Sequence, residues 1–140
     1  MKSILKKSIS EIGGWNWKGD IPTLDNSSYE EYQYYNLHRK PIKDYTIDDI
    51  YFMIGQEECL SILVPIALEF LSKDIFVKAD DYPTDLLERL LLLHKYWESH
   101  PDEKRKLLDL LGDAEKKLDD LILNFKIKKE LKKLIIEFRS

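Results

Sequence analysis

Apolar side chains recur along this chain at steps of three and four, and no stretch shows the strict alternation of a half-buried strand. Ile4, Leu5, Ile9 and Ile12 share one side of a helix predicted over Ser3–Ile12, which Gly13–Gly14 end. Within "SYEEYQYYNLHRKP" a second helix is predicted from Ser28 to about His38, because Pro41 disfavours helical geometry at Lys40. Thr46 is a strong N-cap, and Asp49 makes an approximate capping box for a helix over Ile47–Ile54 that stops at Gly55. A longer helix is predicted from about Glu57 to Leu71, kinked or split by Pro65. Its "LSILVPIALEFL" is apolar nearly all round, which marks it as the buried centre of the fold. Next come a loop and a helix capped at Thr84. Leu86, Leu87, Leu90, Leu91, Leu93, His94 and Trp97 form its broad apolar face, and Pro101 closes it.

The last forty residues read differently. Leu107, Leu111, Ala114, Leu118, Leu121 and Phe125 form a heptad-like seam, and near Asn124 the phase shifts to a new stripe of Ile127, Leu131, Leu134 and Phe138. A lone seam needs something to lie against, so a C-terminal helical hairpin or bent helix is expected. The fold class is all-α: one domain over 1–140, a helical bundle with a Trp-rich N-terminal loop and a C-terminal extension over 113–140. That loop, "WNWKGDIPTLDNSS", carries turn-forming residues, and at least one of Trp15 and Trp17 should anchor it against the helices.

Composition narrows the class. With 140 residues, 44% of them hydrophobic and 34% charged, the chain can bury a real core and does not resemble a disordered one. The N-terminus has no uninterrupted apolar core or small-residue cleavage site, and the most apolar stretch is too short to span a bilayer, so a cytoplasmic protein is expected. The net charge of −4 is uneven. Up to residue 100 there are 17 acidic and 11 basic side chains, and from Pro101 onward 9 and 11. An acidic body disfavours nucleic acid and suits a basic partner.

Sharper chemistries find little support. His38, His94 and His100 occur in no metal-binding spacing, a single Cys59 builds neither a zinc site nor a disulfide, and "DDYPTD" lacks the ligand pattern of a calcium loop. Cys59 reads as a small buried hydrophobe, and His94 as a core or boundary histidine. The adjacent pairs Asp48–Asp49 and Glu57–Glu58 are not two carboxylates tuned apart across a cleft. No phosphate loop, nucleophile elbow or dinucleotide fingerprint is present. The residues point to no enzyme and no cofactor, and a binding module fits them best. The tyrosines of "YEEYQYY" are a contact patch or, on the plainer reading, a core-facing row of Tyr32 and Tyr35 beside surface rings.

Four segments then bring a family into view: "RKP" at 39–41, "TIDDIYFMIGQ" at 46–56, "LVPIALE" at 63–69 and "DDYPTDLL" at 80–87. In this order and spacing they resemble the immunity proteins of bacterial contact-dependent growth inhibition (CDI) systems, of the helical CdiI type, over roughly residues 8–110. Ile50 stands where that pattern has Leu, and Thr84 where it has Gly. The shared residues are turn-makers, caps and core leucines, so the resemblance implies a fold and carries over no functional residue. What it implies about function is binding and neutralisation of a toxin domain delivered by a neighbouring cell, with no cofactor. A nuclease, whose substrate groove is basic, is the toxin that the acid would suit. On charge and expected exposure the contact set is Glu57, Glu58, Asp80, Asp81, Tyr82 and Asp85, with Tyr29 and Tyr34 as anchors. Asp48 and Asp49 are assigned to starting a helix. The alternative is a helical adaptor or scaffold that offers its C-terminal seam to another helix. An enzyme using carboxylates with a divalent ion is the remaining rival.

Overall fold

A computed structural model describes residues 3–14, 16–121 and 124–140, and it is all-α. Trp15 lies outside the described residues. The chain packs as two units, 1–53 and 54–140.

In the first unit a short 3-10 turn (Ile4–Lys6) precedes α1 (Ile9–Gly13). The single helix expected over Ser3–Ile12 is divided because Ser8 and Glu11 form a reciprocal capping box, which starts a new helix after an extended Lys7. Gly14, at φ +64°, ends it. Helix α2 (Tyr29–Arg39) is capped by the Ser28 side chain and packs on α1. A second 3-10 turn (Ile42–Asp44) leads into α3 (Ile47–Gly55), inside which the unit boundary falls. The Thr46–Asp49 box forms as expected: Asp49 N–H donates to Thr46 Oγ1 at 3.2 Å, and Thr46 N–H to Asp49 Oδ2 at 2.9 Å. Lys40 adds a 2.8 Å ion pair to the same carboxylate oxygen. Ile9, Tyr35, Leu37, Ile42 and Tyr45 are buried, and the Tyr45 hydroxyl donates to the Leu37 carbonyl at 2.6 Å.

The second unit has a leucine-rich core. Helix α4 (Leu60–Lys73) packs on α5 (Asp85–Leu91) and α7 (Pro101–Leu118). In turn α7 packs on α6 (His94–Ser99) and α8 (Phe125–Arg139), and α8 also covers α5. Pro65 lies inside α4 without dividing it. Only one stripe of that helix is buried, Leu63, Val64, Ala67, Leu68 and Leu71, while Ile62, Ile66 and Phe70 are half-buried, so it is not buried on all sides.

The long helix expected from Thr84 is two. The Leu90 carbonyl accepts Leu93 N–H at 3.1 Å and the Trp97 indole N–H at 2.8 Å, so the helical ladder stops there. Leu92 and His94 are exposed, which corrects the placing of His94 on an apolar face. Pro101 opens the next helix at its first position, where a missing N–H does no harm.

The C-terminal seam finds its partner within the chain. Leu107, Leu111, Ala114 and Leu118 are fully buried, as is Leu131 across from them, and ion pairs Glu115–Arg139 (2.7 Å) and Asp119–Lys132 (3.0 Å) align α7 and α8 as an antiparallel hairpin. A seam so filled is not on offer to another helix, which removes the feature that suggested an adaptor. Phe125 departs from the expected seam. It follows the Asn124 cap in the first turn of α8 and is 76% exposed.

Candidate functional site

Two connections of the second unit present Glu57, Glu58, Asp80 and Asp81. The first is the turn after α3, where Glu57 N–H donates to the Ile54 carbonyl at 2.9 Å. Glu57 and Cys59 have φ of +54° and +51°, and α4 starts only at Leu60. Glu57 and Glu58 therefore lie on a tight turn, not in the first turn of a helix as the sequence predicts. Glu57 is exposed and Glu58 half-buried. Gly55 leaves room for a cation: a Cβ there would come within 2.5 Å of Arg89 Nη1, so the α5 guanidinium lies directly on this helix end. Cys59 is half-buried, and burial followed by the charge of Glu58 pushes its thiol above the ordinary value, keeping it protonated at neutral pH.

The second connection is residues 74–84, built around Asp85. That carboxylate is 1% exposed, and it accepts main-chain N–H groups from Ala79 (2.7 Å), Asp80 (2.9 Å) and Asp81 (2.8 Å), with a longer contact from Tyr82 (3.4 Å). Charge-assisted bonds of this kind are about twice as strong as neutral ones, and here they compensate a buried anion. Asp85 is thus a positioning residue beneath the loop, which corrects the exposure expected of it. Asp80 and Asp81 are lifted into solvent.

Tyr82 is half-buried, and its hydroxyl donates to the Glu88 carboxylate. Burial holds the Glu88 carboxyl above the usual range, repulsion from Glu130 and Asp85 adds to this, and the Tyr82 hydrogen bond opposes it. The loop closes through an isolated bridge between Lys78 and Pro83 and a 3.2 Å bond from Thr84 N–H to the Phe76 carbonyl. Thr84 holds the N-cap position of α5 without cap chemistry. At φ +82° it is left-handed, its side chain makes no cap bond, and its buried Oγ1 has no hydrogen-bond partner among the described residues.

Tyr29 and Tyr34 belong to the other unit. Tyr29 is 67% exposed at the start of α2, whereas Tyr34 is half-buried with its ring centroid 4.3 Å from that of His38. Tyr35 is a core ring, as the plainer reading of the aromatic run has it, and Tyr32 is half-buried. Against Tyr35 lies Trp17, edge-on with centroids 5.6 Å apart, so the expected anchor of the N-terminal loop is this tryptophan. Trp17, Tyr35, Arg39, Glu11 and Ile21 line a cleft of about 600 Å³. Sequence reasoning singled out the loop for its tryptophans and missed its exposed apolar residues, Ile21 and Leu24.

Among the described residues no helix is long and apolar enough to cross a membrane. A family model described as CDI immunity proteins matches residues 16–107. No curated protein and no solved structure matches the chain.

Proposed function

The chain belongs to the CDI immunity proteins, and from that premise we propose that it neutralises its toxin by covering a basic active-site surface with the two acidic connections of residues 54–140. Glu57, Glu58, Asp80 and Asp81 supply the charge, and Tyr82 supplies an aromatic surface at the loop's edge. The protein acts in the cytoplasm as a non-catalytic inhibitor, and a nuclease is the toxin whose substrate groove such acid would imitate.

One observation carries this reading. Residues 79–82 are tied through their main chain to the buried Asp85, so two exposed carboxylates are held in place before any partner arrives. A loop already ordered loses little freedom on binding. A fixed negative patch also steers encounter with a positive one, raising association toward about 10⁸ M⁻¹s⁻¹ at low salt.

The test is stopped-flow association with the toxin domain encoded at the same locus. Glu57→Lys/Glu58→Lys and Asp80→Lys/Asp81→Lys proteins should associate about tenfold or more slowly and lose most of their salt dependence. Parent-like rates in both would sink the reading, as would a toxin whose active-site surface is acidic.

A further inference from the structure

The large apolar side chains that the described residues leave in solvent are unevenly distributed. Ile21 (59% exposed), Leu24 (66%) and Tyr29 (67%) fall within nine consecutive residues. An isolated exposed leucine is ordinary, but this segment is also fixed. Trp17 Nε1 donates to the Asp20 carbonyl at 2.9 Å, and the Trp17 ring stands edge-on to buried Tyr35. The Asn26 side chain accepts Thr23 N–H at 2.8 Å and donates to the Ile21 carbonyl at 3.3 Å. Thr23 Oγ1 accepts Asn26 N–H at 3.2 Å, and Ser27 Oγ donates to the Thr23 carbonyl at 2.6 Å. Side-chain hydrogen bonds thus hold a loop whose apolar residues point into water. Folding alone gives no reason for that, since hydrophobic burial favours turning them inward.

The charges around these residues specify what they meet. Asp20, Asp25, Glu30 and Glu31 are all exposed along residues 18–31, where Lys18 is the one cation, and Arg39 lines the cleft beside Ile21. An apolar centre with a charged rim is the anatomy of a protein contact, and aromatic residues are enriched at such centres.

We propose that the loop of residues 17–29 is a second, apolar contact for the toxin domain, fitted to a hydrophobic patch bordered by lysine or arginine. This deepens the proposed function and rests on it. The division of labour is kinetic. The acidic connections of residues 54–140 govern how fast the complex forms, and the Ile21–Leu24–Tyr29 loop governs how long it lasts. Apolar anchors act after encounter, when water leaves the contact, so their removal shows in the dissociation rate.

Surface plasmon resonance of Ile21→Asp/Leu24→Asp against the toxin domain of the same locus tests this, with Tyr29→Ala as a second variant that adds no charge. Both sets alter exposed residues, so helical circular dichroism and melting temperature should match the parent. Dissociation should accelerate at least tenfold in the double variant and about threefold or more in Tyr29→Ala, with association within twofold of the parent. Dissociation rates within twofold of the parent in both proteins overturn the proposal. If Glu57→Lys/Glu58→Lys or Asp80→Lys/Asp81→Lys slows association in the same assay, the acidic reading survives that failure. A parent protein that does not bind the toxin domain overturns both.

Discussion

Replacing Thr84 by glycine should make the protein more stable, although the side chain removed is completely buried. At φ +82° a β-branched residue sits in left-handed geometry, which costs a non-glycine residue about 1–2 kcal/mol. Its hydroxyl is buried without a hydrogen-bond partner among the described residues, a further penalty of about 1–3 kcal/mol. Against this, glycine brings about 0.5–1 kcal/mol of extra unfolded-state freedom, and two buried carbon groups are lost at about 0.8 kcal/mol each. The balance is a gain of about 1 kcal/mol, or roughly 3 °C in melting temperature for a chain of this size. Urea unfolding followed by tryptophan fluorescence reads it directly: the midpoint should rise with the slope unchanged. Thr84→Val keeps the backbone strain and the volume and removes only the hydroxyl, so its midpoint should also rise above the parent's, at least as far as that of the glycine variant. A Thr84→Gly protein that unfolds at lower urea than the parent would refute the reasoning, because packing would then outweigh strain and the stranded hydroxyl together. The resemblance to CDI immunity proteins points the same way, for the pattern it rests on has glycine where this chain has Thr84.

Two further outcomes follow from the same loop. Asp85→Asn should lower stability by about 2–3 kcal/mol, because an amide cannot accept on both sides as the carboxylate does. Limited proteolysis should then cut within 79–82 sooner than in the parent. Glu88→Gln should stabilise the protein at neutral pH. Since the folded-state carboxyl titrates above its unfolded value, folding favours the protonated form, and stability falls as pH rises from the ordinary glutamate range through the folded value. The gap between Glu88→Gln and parent in urea midpoint should therefore close below about pH 4, where the glutamate is neutral in both states, and widen as pH rises. A gap independent of pH would exclude the charge as its cause.

Helices announced by a cap and a stop were legible from the residues. Ser28 with Pro41, and Thr46 with Gly55, bound α2 and α3 to within a residue or two, since caps act locally. The phase shift near Asn124 likewise marked the break between α7 and α8, though it left a hairpin and a bent helix equally open. Boundaries set by long-range or unusual backbone geometry were not legible. Nothing in "GQEEC" announces left-handed Glu57 and Cys59, since neither is glycine, asparagine or aspartate. The break between α5 and α6 depends on an indole seven residues away from the carbonyl it takes. The same limit applies to the candidate contact set. Charge identified the acidic connections, but Asp80, Asp81 and Asp85 look equivalent along the sequence. Only the folded loop separates the two that face water from the one that carries them.

That separation has an evolutionary consequence. Asp85 grips the loop by its peptide groups, accepting the main-chain N–H of Asp80 and of Asp81. Almost any non-proline residue at those two positions leaves the grip intact. A lineage facing a new adversary can therefore rewrite its exposed letters by single steps, with the architecture underneath unaware of the change.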